Sequence, residues 1–320
     1  MKFYDVYNGD ADGLCALQQL RLAQPRESVL VSGVKRDINL LQRVDAQPGD
    51  EIVVLDVSLD TNRNALEHSL SQGARVRWFD HHHPGPIPDH QALTAHIDTD
   101  PRMCTSLIVN RHLGGQFPYW AVTAAFGDNL DKAAHTLAAE AGLSESDTSL
   151  LRRLGTCMNY NAYGKTVDDL HVSPITLYQQ MRPFSDPRDF IEASGILAKL
   201  EGRMDKDLKL AMAIPVQSIA DGSAYAVLPD ASWSRRVSGL FANRLSQDRP
   251  DTAHAILTES GEGYVVSIRA PIAKPRGAST VARAFRSGGG REGAAGVDFL
   301  PAGQLDDLLA LMRNTYRPGP

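Results

Sequence analysis

Cysteine is scarce in this chain of 320 residues. There are three, Cys15, Cys104 and Cys157, far apart and without a C-x-x-C pair. An odd, scattered set excludes a disulfide framework and a structural zinc site, and each reads as a small buried apolar residue. A surplus of positive charge is also missing: 33 Lys and Arg face 38 Asp and Glu, a formal net charge of −5. Proteins that coat long nucleic acid are usually basic, so the charge balance disfavours long nucleic acid as a partner and any phosphate-binding surface must be local. No apolar run approaches the roughly 18 residues that span a bilayer, which excludes a membrane partner. The opening MKFYDVYNGDADG meets Asp5 before any apolar run, so it does not read as a signal peptide, and a reducing cytoplasm is the expected compartment. No internal repeat or low-complexity tract is present. What is there is ordinary globular material, 42% hydrophobic and 22% charged. At about 150 residues per domain, the length gives two domains.

The first eighty residues alternate between two textures. Lys2 to Tyr7, Val29 to Val34, Ile52 to Val57 and Val76 to Phe79 are rich in Val, Ile and aromatics and read as strands. Gly13 to Ala23 and Asp60 to Gln72 carry leucines at helical spacing. Strand then helix, repeated, predicts an α/β fold: a parallel sheet with helices on both faces. From Asp100 to about Ala213 the chain reads mainly as helix, with Thr105 or Ser106 capping a helix that begins at Leu107. The charged Pro187–Leu210 stretch reads as one exposed helix joining two lobes. Strand and helix patterns return after Ile214 and predict a smaller α/β domain. The expected organisation is a catalytic domain over 1–186, a linker helix over 187–213 and a substrate-binding domain over 214–320.

Acidic residues gather where the early strands end. The first strand runs into Asn8-Gly9-Asp10-Ala11-Asp12-Gly13, the third ends at Asp56, and the fourth runs into Asp80-His81-His82-His83. Asp128 follows the apolar run Ala121 to Phe126. Ligands of open α/β sheets bind at the carboxyl ends of the strands, so these positions should converge on one crevice. Taken singly, Asp-x-Asp-Gly also suits a turn, a lone Asp a helix cap, and Asp-His-His-His a polar loop; joint placement on one side of one sheet favours a shared task. Carboxylates crowded together raise one another's pKa or demand a counter-cation. Aspartates with imidazole and no thiolate suit a hard divalent ion, Mn²⁺ or Mg²⁺. Several acids suggest two ions, an arrangement that serves phosphate-ester hydrolysis by in-line attack of water.

These motifs, Asn8-Gly9-Asp10-Ala11-Asp12-Gly13, Val54-Leu55-Asp56, Asp80-His81-His82 and Gly127-Asp128, resemble in order the four motifs of the DHH phosphoesterase superfamily. Its members include RecJ exonucleases, nanoRNases that also dephosphorylate pAp, cyclic-di-AMP phosphodiesterases and family II pyrophosphatases. Ser287-Gly288-Gly289-Gly290-Arg291-Glu292-Gly293-Ala294-Ala295-Gly296 resembles the GGGH-x-x-AAG signature of the DHH-associated C-terminal domain, and Ser267-Ile268-Arg269 its Ser-x-Arg strand. The resemblance implies that Asp10 holds a first metal and Asp12 a second, that Asp56 bridges both, and that His81 and Asp128 complete the second. It implies that His82 faces the substrate phosphate and that Asp80 orients an imidazole. Two positions depart from the pattern. Asn8 stands where many members carry His, and Arg291 stands in place of the signature's His, which suggests phosphate binding rather than proton transfer there.

Arg269, Lys274, Arg276, Arg283, Arg286 and Arg291 follow one another with no acid between them, the local positive surface that the net charge requires. Gly288, Gly289 and Gly290 would let backbone N–H groups approach a phosphate. Trp233, Tyr264, Tyr160 and Tyr163 are candidates for stacking a base, and Asn159 to Gly164 is polar-aromatic enough to face the crevice. The expected function is a Mn²⁺-dependent phosphodiesterase that cuts short linear oligonucleotides, dinucleotides such as pGpG, to mononucleotides. Asn8, His82, Arg269, Gly288, Gly289, Gly290 and Arg291 would bind the substrate. The alternatives are a pAp phosphatase or general oligoribonuclease, a RecJ-like single-strand exonuclease and, from another class, a catalytically inactive nucleotide sensor. Oligomeric state stays open, a homodimer included.

Overall fold

The first strand, β1 (Phe3–Tyr7), is apolar on alternate residues, and its two faces bury different things. Tyr4 and Val6 enter one core with Ile52, Val54, Trp78, Leu66 and Leu70. Asp5, on the other face, meets Arg21 of the first helix. The structure, a computed structural model, describes residues 1–317. The chain divides by its internal contacts into two units, Met1–Glu201 and Gly202–Pro320.

In the first unit, α1 (Ala11–Ala23), β2 (Val29–Ser32), β3 (Glu51–Leu55), α2 (Arg63–Ser71), β4 (Arg75–Asp80) and β5 (Leu93–Ile97) follow β1. The strands form one sheet in the order β2-β1-β3-β4-β5, parallel at every pairing. This is the predicted fold class. β5 escaped prediction because its pattern, LTAHI, mixes polar and apolar residues on a half-buried edge. The strand order reverses direction between β1 and β3, and such a switch point opens a crevice at the strands' carboxyl ends.

Seven helices then cover 105–212: α3 (Thr105–His112), α4 (Pro118–Gly127), α5 (Asp131–Glu140), α6 (Glu145–Asn161), α7 (Pro174–Met181), α8 (Pro187–Ser194) and α9 (Ile196–Met212). Proline opens α4, α7 and α8, where its missing N–H costs nothing. Ser144, Ser173 and Asp186 cap α6, α7 and α8 through their side chains. α4 and α6 approach closely because Gly155 lacks a Cβ, which would lie 2.1 Å from the Thr123 carbonyl oxygen.

Two helix readings are corrected. α3 begins at Thr105, two residues earlier than predicted, and neither Thr105 nor Ser106 caps it; a carboxylate from another element does. Pro187–Leu210 is two helices, not one. Gly195 adopts φ 61°, ends α8 and lets α9 start afresh. Nor is the stretch exposed throughout, since Phe190, Ile196, Leu197 and Leu200 are buried. The division between the two units falls within α9.

The second unit holds β6 (Gln217–Ala220), β7 (Ser223–Leu228), α10 (Ser232–Asp248), β8 (Ala253–Ser260), β9 (Gly263–Arg269), α11 (Ala278–Arg283), β10 (Gly288–Gly290), β11 (Ala294–Pro301) and α12 (Leu305–Thr315). Its six strands run β10-β11-β9-β8-β7-β6. Only β7 and β8 pair in parallel. A separate core of Ala255, Leu257, Val266, Ile268, Val281, Val297, Leu308 and Met312 lies between sheet and helices.

Candidate metal centre

The loop after β1 turns directly into α1, and Asp10 makes the turn. Its Oδ1 accepts from the Asp12 and Gly13 amides at 2.9 and 3.1 Å and so caps the helix. Gly13 is required here: a Cβ would meet the Asn8 carbonyl oxygen at 2.2 Å. Asp12, on the first turn of α1, holds the start of α3. Its Oδ2 accepts from the Thr105 amide and its Oδ1 from the Ser106 amide, both at 2.7 Å. A carboxylate at the N-terminus of a helix meets unpaired N–H groups and the positive end of the dipole.

Asp56, immediately after β3, has φ 58°. This is the left-handed conformation, a strained position for a residue with a Cβ. Thr105 Oγ1 donates to Asp56 Oδ1 at 3.2 Å. His81, after β4, brings Nε2 to 3.4 Å from Asp56 Oδ1 and 3.9 Å from Asp128 Oδ2. Asp128 follows α4, whose apolar length sets it beside these strand ends.

The charges register the crowding. Burial, then Asp10 and Asp12, pushes the Asp56 carboxyl well above the usual range. Burial and Asp128 raise Asp12, with His81 opposing. Burial disfavours charge on His81, yet the hydrogen bond to Asp56 and the charges of Asp56, Asp12 and Asp128 outweigh it and push its pKa up to about 10. The cluster attracts positive charge.

The donor set fits a divalent ion. Asp12, His81 and Asp128 each offer a ligand atom within 4.8 Å of the others, as do Asp56, Asp80, His81 and His82. Asp80 Oδ1 accepts from the His81 amide at 2.8 Å and lies 2.7 Å from His82 Nδ1. Its Oδ2, fully buried, has no hydrogen-bond partner. A buried carboxylate oxygen without a partner costs about 1–3 kcal/mol or more unless a cation or donor approaches it. Oxygen and imidazole donors without sulfur suit Mn²⁺ or Mg²⁺.

One residue at the centre escaped prediction. Lys35, three residues beyond β2, places Nζ against Asp10 Oδ2, 3.1 Å from Asn159 Oδ1 and 3.4 Å from Asp128 Oδ1. Burial opposes its charge, but Asp10, Tyr163, Asp128 and Asp56 hold its pKa well above the ordinary lysine value. In turn Lys35 outweighs the effect of burial on Asp10 and lowers that carboxyl. The signal was available: the rule that functional groups collect at strand ends applies to β2 as well as to its neighbours. Asn8 serves this lysine. Buried, it donates from Nδ2 to the Lys35 carbonyl oxygen at 3.2 Å, and its Oδ1 accepts from the Asp10 amide at 3.3 Å. It positions the loop, and a direct contact with substrate is not what its surroundings offer. The Asn159–Gly164 segment does reach the cluster, through Asn159 and Tyr163. Tyr160 is buried against His171 and is a packing residue, not a stacking platform.

In the second unit the glycine run forms the edge strand β10, paired with β11. Gly288 and Gly290 are required by packing: a Cβ would lie 1.7 Å from the Ala282 carbonyl oxygen at the first and 2.5 Å from Ala295 Cα at the second, where φ is 132°. Only Gly289 has open space above it, which narrows the phosphate-approach reading to one residue. Arg269 donates to Asn243 Oδ1 at 2.6 Å and to the Ile268 carbonyl oxygen at 3.0 Å, so α10 holds it in place. Lys274, Arg276, Arg283, Arg286 and Arg291 are exposed, and among the described residues none forms an ion pair.

Residues 221–317 match the DHHA1 domain family. The whole chain is similar to exonuclease RecJ bound to manganese, with 16% identity, a TM-score of 0.61, and coverage of 100% of this chain and 91% of that one. It is similar to RecJ in complex with Mn²⁺ from Thermus thermophilus at 16% identity and TM-score 0.63, over 100% of this chain and 52% of that one. It is also similar to the pGpG-specific phosphodiesterase PggH from Vibrio cholerae at 14% identity and TM-score 0.55, over 98% and 100%. The chain shares the fold of these structures, and its residues 221–317 match the DHHA1 family. No curated protein matches the sequence. The exposed cations and the open Gly289 thus lie within the region that matches DHHA1, and the acidic cluster lies in the first unit. No helix among the described residues is long and apolar enough to cross a membrane.

Proposed function

We propose that this chain is a divalent-metal-dependent phosphodiesterase that hydrolyses short linear oligonucleotides, dinucleotides such as pGpG among them, to mononucleotides. The convergence of Asp12, His81 and Asp128, with Asp56 3.4 Å from His81 and the partnerless Asp80 Oδ2 nearby, carries this reading. Similar structures hold Mn²⁺ or Mg²⁺, and these four residues would hold such an ion here. When bound, the ion supplies Lewis acidity toward a phosphate oxygen and lowers the pKa of nearby water.

The chain's own groups supply the rest. Thr105 and Ser106 fix the Asp12 carboxylate, and Thr105 steadies Asp56, so the ligands are arranged before any ion arrives. Asp80 engages Nδ1 of His82, whose half-exposed ring leaves Nε2 for the substrate. Water attacks phosphorus and gives up a proton to a carboxylate of the cluster, the bond to the departing ester oxygen breaks, and His82 delivers the proton that oxygen needs. Exposed arginines and Gly289 of the DHHA1 domain bind substrate phosphate, and an arginine fork also suits the guanine edge.

The test is product identification by chromatography on pGpG, pApA and pAp with Mn²⁺, and on two-mers against twenty-mers. Wild type should release mononucleotides and favour the two-mer, and Asp56→Ala should lose at least a hundred-fold in rate. Equal turnover by both proteins would remove the metal centre from the reaction. Faster cleavage of the twenty-mer would favour a RecJ-like exonuclease. Tight nucleotide binding without product would favour a sensor.

A further inference from the structure

We propose that the Lys35 ammonium is a built-in cation that fills the Asp10 side of the acidic cluster, so that this chain takes one divalent ion, on Asp12, Asp56, His81 and Asp128, rather than two. The inference rests on the metal-dependent reading above and deepens it.

Asp10 differs from Asp12, whose two oxygens accept only neutral backbone amides, in that a charged donor occupies one of its oxygens. Its Oδ1 receives two backbone amides of α1, and its Oδ2 receives Lys35 Nζ. Lys35 in turn has three donors and three acceptors for them, Asp10 Oδ2, Asn159 Oδ1 and Asp128 Oδ1, so no proton of the ammonium lacks a partner. The acceptors come from the β1–α1 loop, α6 and the end of α4.

The lysine is held there by its backbone. Its N–H donates to the Ala162 carbonyl oxygen at 2.9 Å, and its own carbonyl oxygen accepts from Asn8 Nδ2 at 3.2 Å. The segment after β2 also lies against the β1–α1 loop so closely that a Cβ on Gly9 would meet the Gly33 carbonyl oxygen at 2.0 Å. Asn8 completes the case. An amide can ligate a hard ion only through Oδ1, and Asn8 Oδ1 accepts from the Asp10 amide while Nδ2 secures the lysine. One side of the cluster therefore has a tethered cation on Asp10 Oδ2. The other side keeps Asp12, His81 and Asp128 with ligand atoms within 4.8 Å of one another, Asp56 Oδ1 3.4 Å from His81 Nε2, and the partnerless Asp80 Oδ2. An ammonium in contact with Asp10 and Asp128 repels a divalent ion brought to the same oxygens.

Metal stoichiometry tests this without reference to activity. Full-length protein is dialysed against Mn²⁺, bound metal is counted by elemental analysis, and the electron paramagnetic resonance spectrum is recorded. Wild type should hold one Mn²⁺ per chain, with the six-line spectrum of an isolated ion. Lys35→Ala combined with Asn8→His removes the tethered cation, restores a ring nitrogen ligand, and should admit a second ion with a spin-coupled spectrum. Two coupled ions in wild type would overturn the inference and leave the metal-dependent reading intact. No bound Mn²⁺ in wild type would overturn that reading itself. A double variant that still holds one ion would also overturn the inference. Should the double variant not fold, the wild-type count and spectrum decide.

Discussion

Asp56 carries two costs that a stability-optimised residue would avoid. It occupies a left-handed backbone conformation, and its carboxylate is buried against Asp10 and Asp12. The first alone costs about 1–3 kcal/mol. Glycine adopts that conformation freely and carries no charge. Asp56→Gly should therefore stabilise the protein in chelator, by about 1–3 kcal/mol, and destabilise it relative to wild type in saturating Mn²⁺. Thermal unfolding under both conditions checks this, and a variant no more stable than wild type in chelator would show that the strain is not real. Asp10, Asp12, Asp56, His81 and Asp128 stand out in the sequence because each closely follows a strand pattern or an apolar run. Lys35 was not, because its distance from Asp10, Asp128 and Asn159 is set by how β2 pairs with β1 and where α6 ends.

His254 shows the same conflict within an element. It lies in β8, fully buried, opposite Arg269 on β9, and neither ring nitrogen has a hydrogen-bond partner. Burial, then the charge of Arg249, lowers its pKa to about 4. The folded chain keeps this ring neutral, while the unfolded chain protonates it near 6.5. Its stability contribution is therefore intact above pH 6.5 and is lost as pH falls from 6.5 toward 4, by up to about 3 kcal/mol. Urea unfolding of the full chain at pH 8 and pH 5 should show this loss for wild type, and His254→Leu should reduce it. An unchanged pH dependence in the variant would assign the acid sensitivity to other groups. Helix ends were the least legible elements. α3 starts early because Asp12, ninety-three residues away, provides its cap, and a local reading of Thr105 and Ser106 has no access to that partner.

Over the whole molecule, the net charge of −5 conceals an asymmetry. Residues 1–201 hold 18 Lys and Arg against 26 Asp and Glu, and residues 202–320 hold 15 against 12. The acidic unit contains the cluster that gathers cations; the DHHA1 domain contains the run of exposed arginines. An anionic substrate should therefore bind in a salt-dependent way, because phosphate contacts release counterions. If two phosphates are neutralised, raising KCl from about 50 to 200 mM should raise KM for a dinucleotide about seven-fold. Replacing Arg283, Arg286 and Arg291 by Ala should flatten that slope while leaving Mn²⁺ binding unchanged. Steady-state kinetics across salt concentrations is the measurement, and an equal slope in the variant would place phosphate recognition elsewhere.

The sequence by itself determined the periodic features and the short-range ones: a parallel sheet alternating with helices, acids at the ends of three strands, a glycine run beside arginines. Each depends on neighbours within a turn or a strand, which periodicity and local chemistry report. Tertiary structure alone decided which of those groups share a position. It set Lys35 among the carboxylates, gave Asp12 to the start of α3, assigned Gly288 and Gly290 to packing, and split the 187–210 stretch at Gly195. The physical reason is that electrostatic and steric contacts act through space over a few ångströms, and the residues that make them lie anywhere from two to more than a hundred positions apart in the chain.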